Sequence, residues 1–176
     1  MSIRERSERK VEETVCRLED EYEEFTVVEK TWEHSGERYD NIGERFEQGT
    51  LGGAGVWLTN ENGEVLLVRN EGDKGWGDPG GKAEVGESYE ATAKREVKEE
   101  TGAECRLTGL CDVHIIENQN AESDDPSVFE LIVTFHGELN GGELRPREGE
   151  IAEMDWFAKP PENVLFDEIR TRPYPA

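Results

Sequence analysis

Lysine and cysteine are both scarce in this chain. Its 176 residues include 7 Lys and 13 Arg against 33 Glu and 9 Asp, and the formal net charge is −22. Nucleic acid backbones and anionic membranes attract cationic proteins. A chain with so few basic residues is therefore not expected to bind either of them. The three cysteines, Cys16, Cys105 and Cys111, form neither a CxxC pair nor a disulfide framework. We therefore expect free thiols in a reducing, cytoplasmic compartment.

Long apolar runs, internal repeats and Gly/Ser-rich linkers are also missing from the sequence. No stretch of 18 apolar residues is present, and the N-terminus does not have the pattern of a signal peptide. The length is sufficient for one domain with its own hydrophobic core. We therefore expect a single enzyme-sized domain with no membrane partner.

Residues 89 to 101 carry a pattern that predicts a helix. Ser88 is a good N-cap, and Gly102 fits a left-handed C-terminal cap. Three carboxylates in this segment share one helical face through i,i+3 and i,i+4 spacing: Glu96, Glu99 and Glu100. Because like charges repel at this spacing, the face favours a bound cation. Oxygen ligands without nearby Cys or His favour Mg²⁺ or Mn²⁺ over Zn²⁺, and the phosphates of a nucleotide would complete such a site.

The acidic helix is part of a longer pattern. It reads Gly81, five residues, Glu87, seven residues, then Arg95-Glu96-Val97-x-Glu99-Glu100-x-Gly102. This pattern resembles the box of the Nudix hydrolases at every polar position, although Ala103 is a weak final aliphatic residue. Just before it, Asp78 stands where an apolar residue is commoner in that family. The resemblance implies cleavage of a diphosphate linkage in a nucleoside diphosphate derivative.

The resemblance also implies roles for the matched residues. Glu96 and Glu100 are expected to bind the metal, and Glu99 is expected to be a third ligand or to orient the attacking water. The carbonyl oxygen of Gly81, or of Gly80, is expected to add a neutral ligand, because glycine lets the backbone approach an ion closely.

Arg95 and a general base complete the predicted catalytic group. Arg95 is expected to point about 100° away from the metal face and to anchor Glu87 by an ion pair, as a supporting residue. We take Glu148 as the candidate base. Four other acids compete with it for this role: Glu150, Glu122, Asp124 and Asp125.

The remaining sequence predicts strands and one further helix. A hairpin is expected over 54–60 and 64–70, because an Asn-Gly pair supports a tight turn. The other expected elements are strands at 106–116, 128–137 and 154–157, a polar loop at 117–126, and a closing helix at 160–169. Such a mixture predicts an α/β fold. The resemblance implies the Nudix α/β/α sandwich with a mixed β-sheet, which we assign to residues 49–176.

Residues 1–48 lie outside the resemblance and read as a helical extension with a possible strand at 25–32. Apolar residues recur in it at helical spacing: Val11, Val15, Leu18, Tyr22 and Phe25. We expect this stripe to dock either on the domain or on the partner in a homodimer, and a frayed segment is the alternative.

The substrate stays open at the level of sequence. A nucleoside triphosphate and a nucleotide sugar such as ADP-ribose both fit the resemblance. Family markers for ADP-ribose or diadenosine polyphosphates are absent from the window that holds residues 118–120. The alternative is a Nudix-fold module that binds nucleotides or regulates another protein without hydrolysis. The intact set of three glutamates argues against that alternative.

The acidic, lysine-poor composition predicts a response to salt, because it is typical of proteins from salt-loving organisms. Repulsion among surface carboxylates weakens as the Debye length falls from about 10 Å at 0.1 M to about 3 Å at 1 M salt. We therefore expect the melting temperature to rise between 0.1 M and 2 M KCl. Thermal melts in both salts test this, and a level or lower midpoint at 2 M would contradict the halophilic interpretation.

Overall fold

A mixed β-sheet with helices packed against it forms the protein, as seen in a computed structural model that describes residues 1–176. The elements in chain order are α1 (Ile3–Glu21), β1 (Thr26–His34), α2 (Gly36–Gln48), β2 (Gly53–Thr59), β3 (Val65–Asn70), β4 (Gly80–Lys82), α3 (Tyr89–Thr101), β5 (Ala103–Asn120), β6 (Val128–Gly142), β7 (Ile151–Phe157) and α4 (Glu168–Thr171). The strand order is β1-β5-β6-β2-β3-β7, and β4 pairs with β2 beside this path. The β1–β5 and β2–β6 pairs are parallel and the others are antiparallel. The predicted mixed α/β sheet is therefore confirmed.

Alternation along β2 divides the core between the two faces of the sheet. Val56 and Leu58 belong to the main core cluster, which also receives residues of α1 and α3. Trp57 lies between them in sequence and belongs to a second cluster with Ile169 of α4. Consecutive residues of a strand point to opposite faces, so β2 needs apolar cover on both sides. The C-terminal segment provides that cover on the face opposite α1 and α3.

The apolar stripe of α1 docks on its own sheet. Val11 and Leu18 are buried in the main core, and Val15, Tyr22 and Phe25 pack against it. Of the two expected docking surfaces, the stripe therefore uses the one on its own domain.

Two further contacts tie the N-terminal segment to the sheet. The Ser7 hydroxyl of α1 accepts a hydrogen bond of 2.9 Å from the backbone N–H of Phe129 in β6. All nine residues of β1, including the predicted strand, pair with β5. Residues 1–48 therefore share one sheet and one core with the rest of the protein.

Helix α2 was not expected from the sequence. Ser35 caps its N-terminus by accepting from the N–H of Arg38, and Gly49 ends it with a φ of 76°. Tyr39 and Ile42 are buried against Val128 of β6. The N-cap serine, the terminal glycine and this apolar spacing are the signals that could have identified the helix.

Two predicted boundaries are wrong, and tertiary pairing explains both. The segment 160–167 is not helical, because its backbone pairs with Trp76: Leu165 N–H donates to the Trp76 carbonyl at 2.8 Å. Only residues 168–171 form the closing helix. The polar stretch at 117–120, predicted as loop, continues β5 because β1 supplies hydrogen-bond partners for it.

The hairpin prediction is confirmed, since β2 and β3 are antiparallel and meet at the pair Thr59 and Val65. No helix combines the length and the apolarity needed to cross a bilayer.

The packing of α1 predicts a large effect of Leu18→Ala. Leu18 is fully buried, and removing a buried leucine side chain costs about 2–5 kcal/mol of unfolding free energy. Cys16→Ala, two residues away at an exposed position, is the matched control and should change stability little. Urea unfolding of the three proteins measures this, and equal midpoints for Leu18→Ala and the wild type would contradict the observed docking.

Candidate active site

The predicted acidic helix is confirmed as α3, and its ends are fixed by the expected caps. The Ser88 hydroxyl accepts from the N–H of Ala91 at 3.1 Å, and Gly102 ends the helix in the left-handed conformation with a φ of 76°. The short strand β4 lies next to α3 and pairs with Gly53–Gly55 of β2. Close approach of two backbones explains the glycines, because a Cβ on Gly80 would lie 2.6 Å from the Cα of Gly55.

Gly81 makes room for the carboxylate of Glu96. A Cβ atom on Gly81 would overlap that carboxylate group. The carbonyl oxygen of Gly81 lies on the other side, where a Cβ on Gly53 would meet it at 2.6 Å. Glycine at position 81 therefore provides space for Glu96, while its carbonyl oxygen is directed towards β2.

Arg95 is the cation at the centre of the acidic cluster. Its guanidinium group contacts Glu87 at 2.7 Å and 2.9 Å, Glu96 at 2.8 Å and Glu99 at 3.2 Å. It also donates to the backbone carbonyl of Lys82 at 2.9 Å. The expected ion pair with Glu87 is present. Arg95 also contacts Glu96 and Glu99. These two contacts were not predicted, because its side chain was expected to point away from the metal face.

Glu87 fixes the turn between β4 and α3. Its carboxylate accepts from the N–H of Glu84 at 2.9 Å and from the hydroxyl of Thr92 at 3.0 Å. The hydrogen bond from Arg95 and these further donors lower the pKa of Glu87 to about 2. The carboxylate is therefore ionised throughout the physiological range, which keeps the turn attached to α3.

Glu100 occupies the most buried position of the three helix carboxylates. Only 4% of the residue is exposed. Burial raises the pKa of Glu100 to about 8, and the charges of Glu150, Glu96 and Asp78 add to the effect. A hydrogen bond from the backbone of Gly80 opposes this shift. Glu100 is thus a buried carboxyl group surrounded by negative charge and without a cation of its own.

The chemistry of these donors suits a hard divalent cation. No set of three or more His, Cys, Asp or Glu side chains is already arranged around a common metal position, because Glu96 and Glu99 are turned towards Arg95. The donors are nevertheless carboxylates, and the environment of Glu100 raises the cost of its ionisation unless a positive charge is near.

Among the candidate bases, Glu150 has the strongest electrostatic effect on Glu100 of α3. Glu150 is the acid whose charge raises the pKa of Glu100 most, and Arg147 bridges it at 3.3 Å and Glu99 at 3.6 Å. Glu148 is exposed in the same turn. Sequence reasoning missed Arg147, although it stands next to the candidate base.

The acids of the polar loop belong to a different part of the molecule. Glu122 accepts from the backbone N–H of Gly36 at the start of α2. Asp125 accepts from Asn120 at 3.0 Å and from Ser123 at 2.7 Å. These contacts hold the loop against α2, away from the residues that surround Glu100.

A cleft of about 950 Å³ opens beside β4 and reaches α2. Gly80, Gly81 and Lys82 form one end of it. Its lining carries five Lys or Arg against three Asp or Glu, whereas the whole chain has 20 against 42. The sign of the charge is therefore reversed in the cleft, which favours an anionic ligand.

Asp78, the unusual residue before the box, is part of a buried ion-pair network. Arg172 donates to Asp78 at 2.8 Å and to Asp112 at 2.7 Å and 3.0 Å. These two carboxylates raise the pKa of the Arg172 guanidinium against the effect of burial. The network ties the C-terminal segment to β5 and to the loop just before β4. Asp78 was the sequence signal for it, but its partner lies 94 residues away.

Comparison with known families agrees with this geometry. The family described as NUDIX domain matches residues 49–172. The chain belongs to the Nudix family.

Two relatives illustrate the range of the Nudix family around this chain. One is a candidate 8-oxo-dGTP diphosphatase of Bacillus subtilis (strain 168), 33% identical over 106 residues, which cover 60% of this chain and 65% of that protein. Another is the NAD-capped RNA hydrolase NudC of Pseudomonas aeruginosa (strain LESB58), 35% identical over 105 residues, which cover 58% of this chain and 34% of that protein. The chain thus spans less than two thirds of the length of either relative.

Solved structures show the same fold. A Nudix hydrolase from Nitrosomonas europaea matches with a TM-score of 0.54 and 23% identity, over 68% of this chain and 65% of that one. A UDP-X diphosphatase matches with a TM-score of 0.51 and 24% identity, over 74% of this chain and 64% of that one. The Nudix fold expected from the sequence is confirmed.

The raised pKa of Glu100 predicts a pH dependence of stability in EDTA. An unfolded glutamate titrates near 4.5, and the folded Glu100 near 8. Between these values the folded state keeps a proton that the unfolded state loses, so this group makes stability fall as pH rises. Glu100→Gln should therefore gain stability relative to the wild type between pH 5 and pH 8.

Urea unfolding in EDTA at both pH values measures the difference. Glu12→Gln, at an exposed position of α1, controls for the loss of one acidic charge. A stability difference between Glu100→Gln and the wild type that is the same at pH 5 and pH 8 would show that Glu100 is not the buried group described.

Proposed function

We propose that this protein is a metal-dependent Nudix pyrophosphohydrolase that cleaves a diphosphate linkage in a nucleoside diphosphate derivative. The observation that supports the proposal is the position of β4 between the acidic helix α3 and the cationic cleft. On one side of this strand, Gly80 and Gly81 contact the carboxylates of α3. On the other side, they line the cationic cleft. A diphosphate bound in the cleft would thus lie beside the acidic helix.

Glu96, Glu99 and Glu100 would hold Mg²⁺ or Mn²⁺ in this proposal. The cation, when bound, supplies positive charge for the phosphate oxygens and lowers the pKa of coordinated water. The carbonyl oxygen of Gly81, or of Gly80, stays the proposed neutral ligand, and Gly81 also leaves space for the Glu96 carboxylate.

The supporting residues keep these carboxylates and the substrate in place. Arg95 restrains Glu96 and Glu99 and attaches the turn through Glu87. Lys82 extends the site into the cleft, where its charge suits a phosphate oxygen. For the general base, Glu148 remains the original candidate, and Glu150 has the stronger electrostatic link to Glu100.

The substrate is proposed only as a class. The two relatives are named for different substrates, 8-oxo-dGTP and NAD-capped RNA. A nucleoside triphosphate and a nucleotide sugar such as ADP-ribose both fit a cleft of about 950 Å³. We place the protein in the cytoplasm on the strength of its three unpaired cysteines. The rival function is a nucleotide-binding module without hydrolysis.

A substrate panel in Mg²⁺ and high salt tests the proposal. We expect at least one nucleoside diphosphate derivative to be hydrolysed, with activity lost in EDTA. Glu100→Gln should lower turnover by at least about 10²-fold, as expected when a charge that positions metal or water is removed. Binding of every compound without turnover would favour the rival module, and full activity after exhaustive chelation would reject the metal mechanism.

Two alanine variants provide a matched comparison in the same assay. Gly81→Ala places a methyl group where the Glu96 carboxylate lies, whereas Gly109→Ala meets no atom within 4 Å. Because the Glu96 side chain can move away, Gly81→Ala should stay folded but lose activity by about tenfold or more. Gly109→Ala should keep wild-type activity. Equal rates for the two variants would separate Gly81 from the active site.

A further inference from the structure

The far wall of the cleft is built by residues outside the segment that matches the Nudix domain. That match covers residues 49–172, while β1 and α2 lie between residues 26 and 48. These two elements, together with Ser35 between them, supply nine of the 25 residues that line the cleft. Any group attached to a diphosphate at β4 would extend towards this wall, because the cleft runs from β4 to α2.

One face of β1 is turned into the cleft. Lys30, Trp32 and His34 all line it, and their spacing of two places them on the same face of the strand. Trp32 stands opposite Asn118 of β5. Its residue surface is 40% exposed, so this large aromatic side chain is accessible to a ligand.

Polar groups lie beside Trp32 in a fixed arrangement. His34 Nε2 lies 2.7 Å from the amide oxygen of Asn118, and the amide nitrogen of Asn118 donates to Glu130 at 2.7 Å. Asn118 is fully buried and also donates to the Val128 carbonyl. His34 and Glu130 line the cleft. An apolar ring surface next to oriented polar groups suits a nucleobase, which has a flat face and a hydrogen-bonding edge.

The cations of the cleft are placed for a charged ligand that also reaches this wall. Lys30 is paired with Glu168 at 3.1 Å, and Arg172 with Asp78 at 2.8 Å. Arg38 and Lys82 line the cleft without such an ion pair. Lys82 lies at the β4 end and Arg38 in the first turn of α2, so free positive charge is present at both ends of the cleft.

We propose that the wall formed by β1 and α2 recognises the nucleoside of the substrate, and that Trp32 stacks on its base. The inference rests on the proposed function, because it takes β4 as the position of the diphosphate. It deepens that function by assigning recognition of the base to a segment that the family domain does not include. The substrate class is accordingly a diphosphate that carries a nucleobase, as opposed to a diphosphate without a ring.

Equilibrium titrations in EDTA test this without any need for turnover. The probes are ADP, GDP, CDP and UDP, with inorganic pyrophosphate as the ligand that has no ring. Trp32→Ala should weaken binding of the preferred nucleoside diphosphate by about 5- to 100-fold, the range that base stacking on an aromatic side chain provides. The affinity for pyrophosphate should stay within about twofold. Trp32→Phe, which keeps an aromatic ring, should restore most of the loss.

Val27→Ala is the matched control. Val27 lies on the same strand, is 44% exposed and does not line the cleft, so the variant should bind all five probes as the wild type does. Three results would overturn the proposal: nucleoside diphosphates bound no more tightly than pyrophosphate by the wild type, no loss in Trp32→Ala, or an equal loss for pyrophosphate. These titrations measure binding and not hydrolysis. A protein that binds the five probes as expected but hydrolyses no substrate would contradict the proposed reaction and leave the proposed recognition of the base intact.

Discussion

The pairing of Arg95 with three carboxylates is the interaction on which the candidate site depends. Glu87, Glu96 and Glu99 all lie within reach of one guanidinium group, which also holds the Lys82 carbonyl. Without this cation, neighbouring carboxylates on α3 would repel one another and the turn after β4 would lose its anchor. The five donors of its planar fork allow Arg95 to make all five of these contacts at once, whereas a lysine has only three donors. Arg95 is thus the element that joins turn, strand and helix.

A second arginine, Arg172, is buried and performs the corresponding task for Asp78 and Asp112. Arg172 joins Asp78 and Asp112, and its guanidinium carbon lies 5.2 Å from the centre of the Trp57 ring. In a chain with twice as many acids as bases, both arginines are used where acidic groups must be buried or crowded. Removing one partner of the buried Arg172 network would leave an uncompensated buried charge, which is strongly destabilising. The result is an acidic face on α3 and a cationic cleft, separated by three residues of β4.

The N-terminal segment links stability to recognition. Helix α1 covers the main core with Val11 and Leu18, and the strand that follows it completes the edge of the sheet beside β5. The same strand turns Trp32 towards the cleft. A segment that lies outside the residues matched to the family therefore supplies part of the hydrophobic core and one wall of the proposed substrate site.

Local chemistry in the sequence determined α3, its caps, the hairpin and the grouping of Glu96, Glu99 and Glu100, because these features depend on spacing, capping and turn residues within a few positions. Only the tertiary structure decided the rest. Backbone pairing with Trp76 replaced residues 160–167 of the helix expected at 160–169, and pairing with β1 extended β5 through 117–120. The partner of Asp78 and the cleft between α2, β1 and β4 arise from residues far apart in the chain. No local pattern records such contacts, since their free energy comes from surfaces that meet only after folding.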